Sequence, residues 1–533
     1  MIRLDCLRGA VTALQNGKPE QAEYACRQLV DRDAADIEAW LLLGLALGLR
    51  GDASAAAPVL DAVARARRDY AHPCRDLARL LLDQGKASLI APQFRACLTL
   101  APNDLRLCFP FAEFLRESGG AAEAICVLEP LLHLYPTNAE AHDQLGLALA
   151  DAGRFAEAAE RLRQAIALDP APAAFWANLG MMLKVEGQFD AALDAYAKAL
   201  ARDPDNRRIK VNRAVARLQA GRFAEVWQDT DCTLSERGQT ILPGETLLPP
   251  LSQCPDLTDR TVLVLQDEGL GDALQFLRYL PLLSQRGARV VAAVAPPLIR
   301  LMRSIPGVVV PEVEAPVPRF DFHCSFNGLP RAFETTLDSI PRQIPYVAAD
   351  AVLAQRWREQ MPPTDSLRVG LAWAGQARPW LPGFIGLDGR RSTTLAMLAP
   401  LAAVRGVQFL SLQKGTAAEQ ARDAGFHLLD LMGGVQDFAD TAAIVANLDL
   451  VISVDTSVVH LAGAMGKPVF MLDRYDNCWR WMSGRDDSPW YPTLRIFRQN
   501  QPGDWPPVIA RVAIALAAMA DHPCPTRQRR DAP

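Results

Sequence analysis

Long apolar runs, basic tracts and paired cysteines are all missing from this chain. The longest apolar stretches, residues 41–49 and 508–520, are too short or too interrupted to cross a bilayer, and residues 1–17 lack a signal-peptide layout. A cytoplasmic protein without a membrane span is expected. A net charge of −5 with no long basic tract argues against a protein that coats nucleic acid. The eleven cysteines are odd in number, scattered and without a Cys-x-x-Cys pair, and the seven histidines show no metal-ligand spacing. Neither a disulfide framework nor a metal site is expected. With half its residues apolar and 533 of them in all, the chain is too long for one core and divides into several.

What is present begins with a beat. Gly17, Gly51, Gly85, Gly119, Gly153, Gly187 and Gly221 stand 34 residues apart without a slip. Leu43, Leu77, Leu145 and Leu179 hold another phase, and Pro102, Pro136, Pro170 and Pro204 stand where a helix must stop. Cys6, Cys74 and Cys108 share a phase as well, as small packing residues. A period of 34 with a small residue between paired helices is the signature of the tetratricopeptide repeat. Such pairs bury their apolar stripes only against neighbours, and the stacked array offers a concave surface suited to an extended peptide or another protein. A dimerisation arm or plain spacer is the plainer alternative.

After Trp227 the beat gives way to turn residues, among them Pro243, Gly244, Pro249 and Pro250, and then to alternating strands and helices. Strand candidates fall at 261–266, 290–294, 369–373, 407–412, 450–454 and 468–472. Strands alternating with helices predict parallel sheets covered on both faces, and the Pro362-Pro363-Thr364 break divides them into two lobes. The turn Glu268-Gly269-Leu270-Gly271-Asp272 leads into a helix, but the Gly-x-Gly-x-x-Gly spacing fails at Leu274, which argues against dinucleotide binding. What remains is Asp272 on the first helical turn, either a proton acceptor for a hydroxyl or a residue that merely complements the helix dipole. At the second junction Thr456, Ser457 and His460 fall on adjacent turns of one helix, where hydroxyls, amides and an imidazole can converge on a phosphate. His460 also reads as a packing histidine, and Asp455 either caps the helix or accepts a hydrogen bond from a ribose.

At these two runs the chain resembles bacterial tetratricopeptide–glycosyltransferase fusions, whose C-terminal half is similar to heptosyltransferases and more distantly to O-GlcNAc transferase. Residues 269–281, Gly-Leu-Gly-Asp-Ala-Leu-Gln-Phe-Leu-Arg-Tyr-Leu-Pro, resemble the group's first motif. Trp373-Ala374-Gly375, residues 411–415 (Ser-Leu-Gln-Lys-Gly) and residues 455–463 (Asp-Thr-Ser-Val-Val-His-Leu-Ala-Gly) resemble its later motifs in order and spacing. The resemblance implies that Asp272, beside Gly271, is the catalytic base. It implies further that Glu419 grips the donor nucleoside, that Thr456, Ser457 and His460 contact its phosphates, and that Lys414 is a further phosphate partner. Likenesses at 321–324, at Trp479-Arg480-Trp481 and at 487–492 assign no role, and their aromatics read as packing. Where the group continues with Pro-x-His-x-x-Asp-x-x-Arg-Ser, residues 376–392 keep Asp388, Arg391 and Ser392 but have no histidine.

The expectation is an all-α tetratricopeptide (TPR) solenoid over 1–235, a linker over 236–258, and an α/β GT-B fold of two Rossmann-like lobes. These lobes cover 259–362 and, as the nucleotide-sugar-binding part, 363–520, with a flexible tail over 521–533. By resemblance the enzyme transfers a sugar from a nucleotide-sugar donor, without a cofactor or metal, to an acceptor hydroxyl on a protein or peptide held by the repeats. Asp455 and one of Arg390 and Arg391 join the donor contacts. The rival is a repeat scaffold with an inactive transferase half, which the missing histidine favours and the retained Asp272, Glu419, Asp455 and His460 oppose.

Overall fold

A computed structural model describes residues 2–68, 71–227, 242–312, 315–316, 318–378, 385–422 and 427–521. The start of the expected linker (236–241), loop residues 379–384 and tail residues 522–533 lie outside the described residues. Among the described residues no helix is long and apolar enough to cross a membrane.

Helices come in pairs from Ile2–Gln15 and Pro19–Arg32 through to Arg207–Gln219 and Phe223–Trp227, seven pairs among the described residues. Each of the seven periodic glycines sits at the turn inside a pair with φ between +67° and +85°. That is the left-handed region, which a Cβ disfavours by about 1–2 kcal/mol. After helix Ala139–Asp151, for example, the Arg154 N–H donates to the Leu149 carbonyl at 2.8 Å and the Gly153 N–H to that of Ala150 at 2.9 Å. This double bond closes the helix end and turns the chain back. The four prolines follow second helices ending at Leu100, Leu134, Leu168 and Arg202. The array is thus a helical solenoid of the tetratricopeptide type. Residues 1–171 form one compact unit, and from Pro172 onward the sixth and seventh pairs group with the sheet-bearing residues.

Among the described residues of the second unit, ten parallel strands form two sheets. The first, of order β3-β2-β1-β4, contains β1 (Thr261–Leu265), β2 (Arg289–Ala293), β3 (Val308–Val309) and β4 (Phe322–Ser325). The second has the order β10-β9-β8-β5-β6-β7. It contains β5 (Leu367–Ala372), β6 (Val407–Ser411), β7 (Leu429–Asp430), β8 (Leu450–Val454), β9 (Val469–Asp473) and β10 (Leu494–Arg498). Val262 lies opposite both Val290 and Phe322, and Val369 opposite both Phe409 and Leu450. The six sequence-expected strands are the six central ones, and the four that the sequence did not reveal are the four sheet edges. Central strands buried on both faces read as continuous apolar runs; edges are short or, like Leu494–Arg498, interrupted by charge.

Candidate active site

In an open parallel sheet a crevice forms where neighbouring connections leave in opposite directions, outside the C-terminal ends of the strands. In the first sheet that point lies between β1 and β4, and in the second between β5 and β8. The first crevice receives the Gln266–Asp272 turn and the Ser325–Gly328 turn. Trp373, Ala374, Gly375 and the Asp455-Thr456-Ser457 run meet at the second. Gly271 and Asp272 therefore stand at one switch point and Asp455, Thr456 and Ser457 at the other, and the two points face each other.

Their meeting is closest at Gly271. A Cβ there would lie 2.7 Å from His460 Cδ2 and 3.5 Å from Ser457 Cα. Helix Leu270–Phe276 thus starts directly against the start of helix Ser457–Ala464, bringing two positive dipole ends together. Thr456 is the N-cap of the second helix and no side chain caps it, so its first-turn amides are not taken up by a cap. The cap expected of Asp455 is not found, because Asp455 stands one residue too early; the Thr456 hydroxyl lies instead 3.0 Å from that of Ser453.

Asp272 closes its own helix end, accepting from the Gly269 N–H at Oδ2 over 3.0 Å. Its Oδ1 pairs with Arg480 Nη2 from the opposite lobe. The side chain keeps 18% of its surface exposed, enough for a reacting group to reach it. Burial pushes this carboxyl above the ordinary carboxylate range. Arg480 and the Gly269 N–H pull it back, while Glu268 and Asp455 add to the rise. Asp267, five residues earlier, carries one buried carboxylate oxygen without a hydrogen-bond partner among the described residues. Burial pushes its pKa up to about 6, partly offset by a hydrogen bond from Ser325.

His460 is 5% exposed, with Nδ1 3.0 Å from the Tyr491 hydroxyl and its ring stacked on Trp481 at 5.2 Å. Burial first, with Arg480 and Arg278 adding and Asp455 opposing, takes its pKa down to about 3, so the imidazole is neutral. It can offer one N–H but no charge.

Arg391 lies against Gly375, where a Cβ would come within 2.5 Å of its Nη2. The same nitrogen donates to Asp388 Oδ1 at 3.0 Å. Buried Asp388 also takes Arg378, and Ser392 Oγ receives the Gly375 N–H at 3.1 Å. The retained Asp, Arg and Ser thus lock the loop to the end of β5. Burial lowers the Arg391 pKa, with Asp455 and Asp388 opposing. Arg390 turns instead to Asp476, at 3.0 Å. Lys414, on the β6 side of the crevice, donates to the Val435 carbonyl, and Glu419 is exposed on the 3-10 helix Thr416–Arg422. Gly271, Asp272, Asp455, Ser457, His460 and Arg480 are therefore brought together, while Lys414 and Glu419 follow β6, the strand on the other side of β5 from β8.

Sequence reasoning left Arg480, Asp267 and Gln413 without roles. Buried Gln413 accepts the N–H groups of Trp373 and Ala374, both at 2.9 Å, and ties the loop after β5 to the loop after β6. The one available signal for Arg480 was a cation set between two tryptophans; its guanidinium lies 4.8 Å over the Trp479 ring.

Fold and site together define a helical-repeat protein joined to a two-lobed α/β unit. Tetratricopeptide repeat models match residues 7–71, 139–172 and 173–206. The glycosyltransferase family 9 (heptosyltransferase) model matches residues 409–484, which include Lys414, Glu419, Asp455, His460 and Arg480. Protein FlbA of Caulobacter vibrioides is 26% identical over 354 residues, covering 58% of this chain and 54% of its own length. The chain thus spans about half the length of this curated relative. Among solved structures, MamA from Desulfovibrio magneticus RS-1 is 21% identical, with a TM-score of 0.25 over 32% of this chain and 97% of its own. YrrB, described as a TPR protein with an unusual peptide-binding site, is 18% identical, with a TM-score of 0.26 over 35% of this chain and 95% of its own. The family matches support a glycosyltransferase joined to a protein-interaction module.

Proposed function

We propose that the protein is a GT-B glycosyltransferase that moves a sugar from a nucleotide-sugar donor to an acceptor hydroxyl, on a protein or peptide presented by the repeats. The observation that carries this reading is the half-buried Asp272 set against the uncapped start of helix Ser457–Ala464, inside the stretch matched by the glycosyltransferase family. Asp272 takes the acceptor proton, the freed oxygen bonds to the anomeric carbon, and the bond from that carbon to the phosphate oxygen breaks. The nucleotide leaves with the electron pair. Its growing charge is met by the amides of the Ser457 turn, by the His460 N–H and by Arg391. Positive charge comes from the chain itself, so the proposed step calls for no metal cofactor. Glu419, on the exposed 3-10 helix beyond β6, is assigned to the donor nucleoside, with Lys414 beside it. The thiols of all described cysteines are free, which suits a reducing compartment such as the cytoplasm.

Calorimetric titration against UDP-, GDP-, ADP- and CMP-sugars tests the reading. One donor class is expected to bind, Asp272→Asn to bind it as well as wild type, and transfer by that variant to fall about 10²–10⁴-fold. Chelator is expected to leave transfer unchanged. Failure of every nucleotide sugar to bind overturns the proposal in favour of a scaffold.

A further inference from the structure

A base that accepts a proton must be ionised when the acceptor arrives, and the surroundings of Asp272 work against that. Asp267 and Glu268 share its turn, Asp455 faces it from the opposite lobe, and His460 beside it is neutral. Arg480 is the cation bonded to it, and Arg480 is carried on a short turn, Trp479–Trp481, that is gripped from two sides. On the site side its Nη2 reaches both Asp272 and, at 3.4 Å, Asn327 Oδ1 at the end of β4. On the far side stands the seventh helix pair. Gln219 Nε2 donates to Asn477 Oδ1 at 2.6 Å and to Ser483 Oγ at 3.2 Å, one residue on either side of the turn's flanks. Asn477 in turn donates to the Met482 carbonyl at 2.6 Å, closing the loop on itself. Phe223 meets the edge of Trp479 at 6.5 Å, and the same indole also packs against Trp490 and against Phe276, on the helix that carries Asp272.

We propose that Arg480 is a positioning residue for Asp272, and that the seventh helix pair, through Gln219 and Phe223, holds the turn that keeps Arg480 there. The proposal rests on Asp272 being the base, and it makes the last repeat a working part of the site as well as its neighbour. Arg480 fixes one carboxylate oxygen and keeps the group ionised among like charges, so the other lone pairs are ready for the acceptor proton. A loosened turn would leave the carboxylate to take up a proton from water and lose its function as a base.

The experiment follows the Asp272 carboxyl directly, in the full chain labelled with ¹³C at the aspartate side-chain carboxyl. The Asp272 signal is assigned by its loss in Asp272→Asn, and its titration midpoint is read with no substrate present. Arg480→Gln is expected to raise the proton affinity of Asp272 tenfold or more, a midpoint shift of about one pH unit or more upward. Arg480→Lys is expected to give a smaller upward shift, and Gln219→Ala a shift in the same direction with the circular dichroism spectrum unchanged. An unmoved midpoint in folded Arg480→Gln overturns the proposal; should that variant not fold, an unmoved midpoint in both Arg480→Lys and Gln219→Ala overturns it. A shift in Arg480→Gln without one in Gln219→Ala overturns the part given to the repeat. Once a donor is known, the acid limb of kcat is expected to move with the midpoint, whereas a merely structural arginine would lower kcat evenly at every pH. If the midpoints move as expected but Asp272→Asn still transfers sugar, the base reading fails while the positioning stands.

Discussion

Gly375 and Asp267 show how much of the site is decided by single residues that do no chemistry. Gly375 leaves room for the Arg391 guanidinium, and the atom that a Cβ would strike is the far end of that flexible side chain. The backbone φ at Gly375 is not in the left-handed region, so Gly375→Ala is expected to fold normally and to move Arg391 off the crevice. Losing one charge-assisted contact to phosphate is worth about 1.5–3 kcal/mol, so donor affinity should fall roughly 10- to 100-fold by calorimetry, with the melting temperature unchanged. Asp267 acts on stability through its proton. Its folded pKa of about 6 lies above the ordinary carboxylate value, so the folded state binds the proton more tightly, and stability that is full at low pH is lost as pH rises through 6. Asp267→Asn, which has no charge to bury, is expected to match wild type near pH 4 and to gain in relative melting temperature as the pH is raised to 8. The placement of Asp272 and His460 on the first turns of helices that follow strands was legible in the sequence, because both lie inside local motifs. Arg480 was not, because its meaning comes from a partner 208 residues away, and no spacing along the chain encodes that.

At the level of elements the two halves were legible for different reasons. The glycine beat marks a backbone requirement that each pair meets separately, so it survives in sequence as a strict period, and every one of those glycines has positive φ. Central strands announced themselves by burial on both faces. Edge strands and the 3-10 segments Ala396–Ala403 and Thr416–Arg422 carry no such pattern, since each is shaped by what packs on one side. The glycine requirement can be measured at Gly153, whose φ is +78°. A Cβ there disfavours the conformation by about 1–2 kcal/mol, which corresponds to a roughly 5- to 30-fold shift in local opening. Hydrogen exchange of the full chain carrying Gly153→Ala is expected to show that loss of protection in helices Ala139–Asp151 and Phe155–Leu168, with exchange in the β1 and β8 strands unchanged.

For the whole molecule, the boundary between the repeats and the sheet-bearing part is set by packing. Periodicity alone runs the solenoid on past Gly221, because it records how each pair is built and says nothing of what the pair packs against. Packing sets a different line, since residues from Pro172 group with the sheets. Leu218, Phe223 and Val226 are fully or nearly fully buried in the same core as Leu274, Phe276 and Trp490. Trp227 Nε1 donates to the Thr335 carbonyl at 2.6 Å, and Gln219 holds Asn477. Each of those three apolar side chains contributes about 1.5–3 kcal/mol by its burial, and their removal would also open the aromatic cluster around Trp479. Together that rivals the 5–15 kcal/mol by which a domain is ordinarily stable. Proteolysis of the full chain is therefore expected to cut ahead of residue 172 and leave a resistant fragment carrying both the last two helix pairs and the sheets. Cleavage engineered between Trp227 and Leu248 should leave the two pieces associated under native conditions, separating only in denaturant. A freely released 248–533 piece that keeps its melting temperature and its nucleotide-sugar affinity would mean that the last repeats are spacer, and that the site is complete without them.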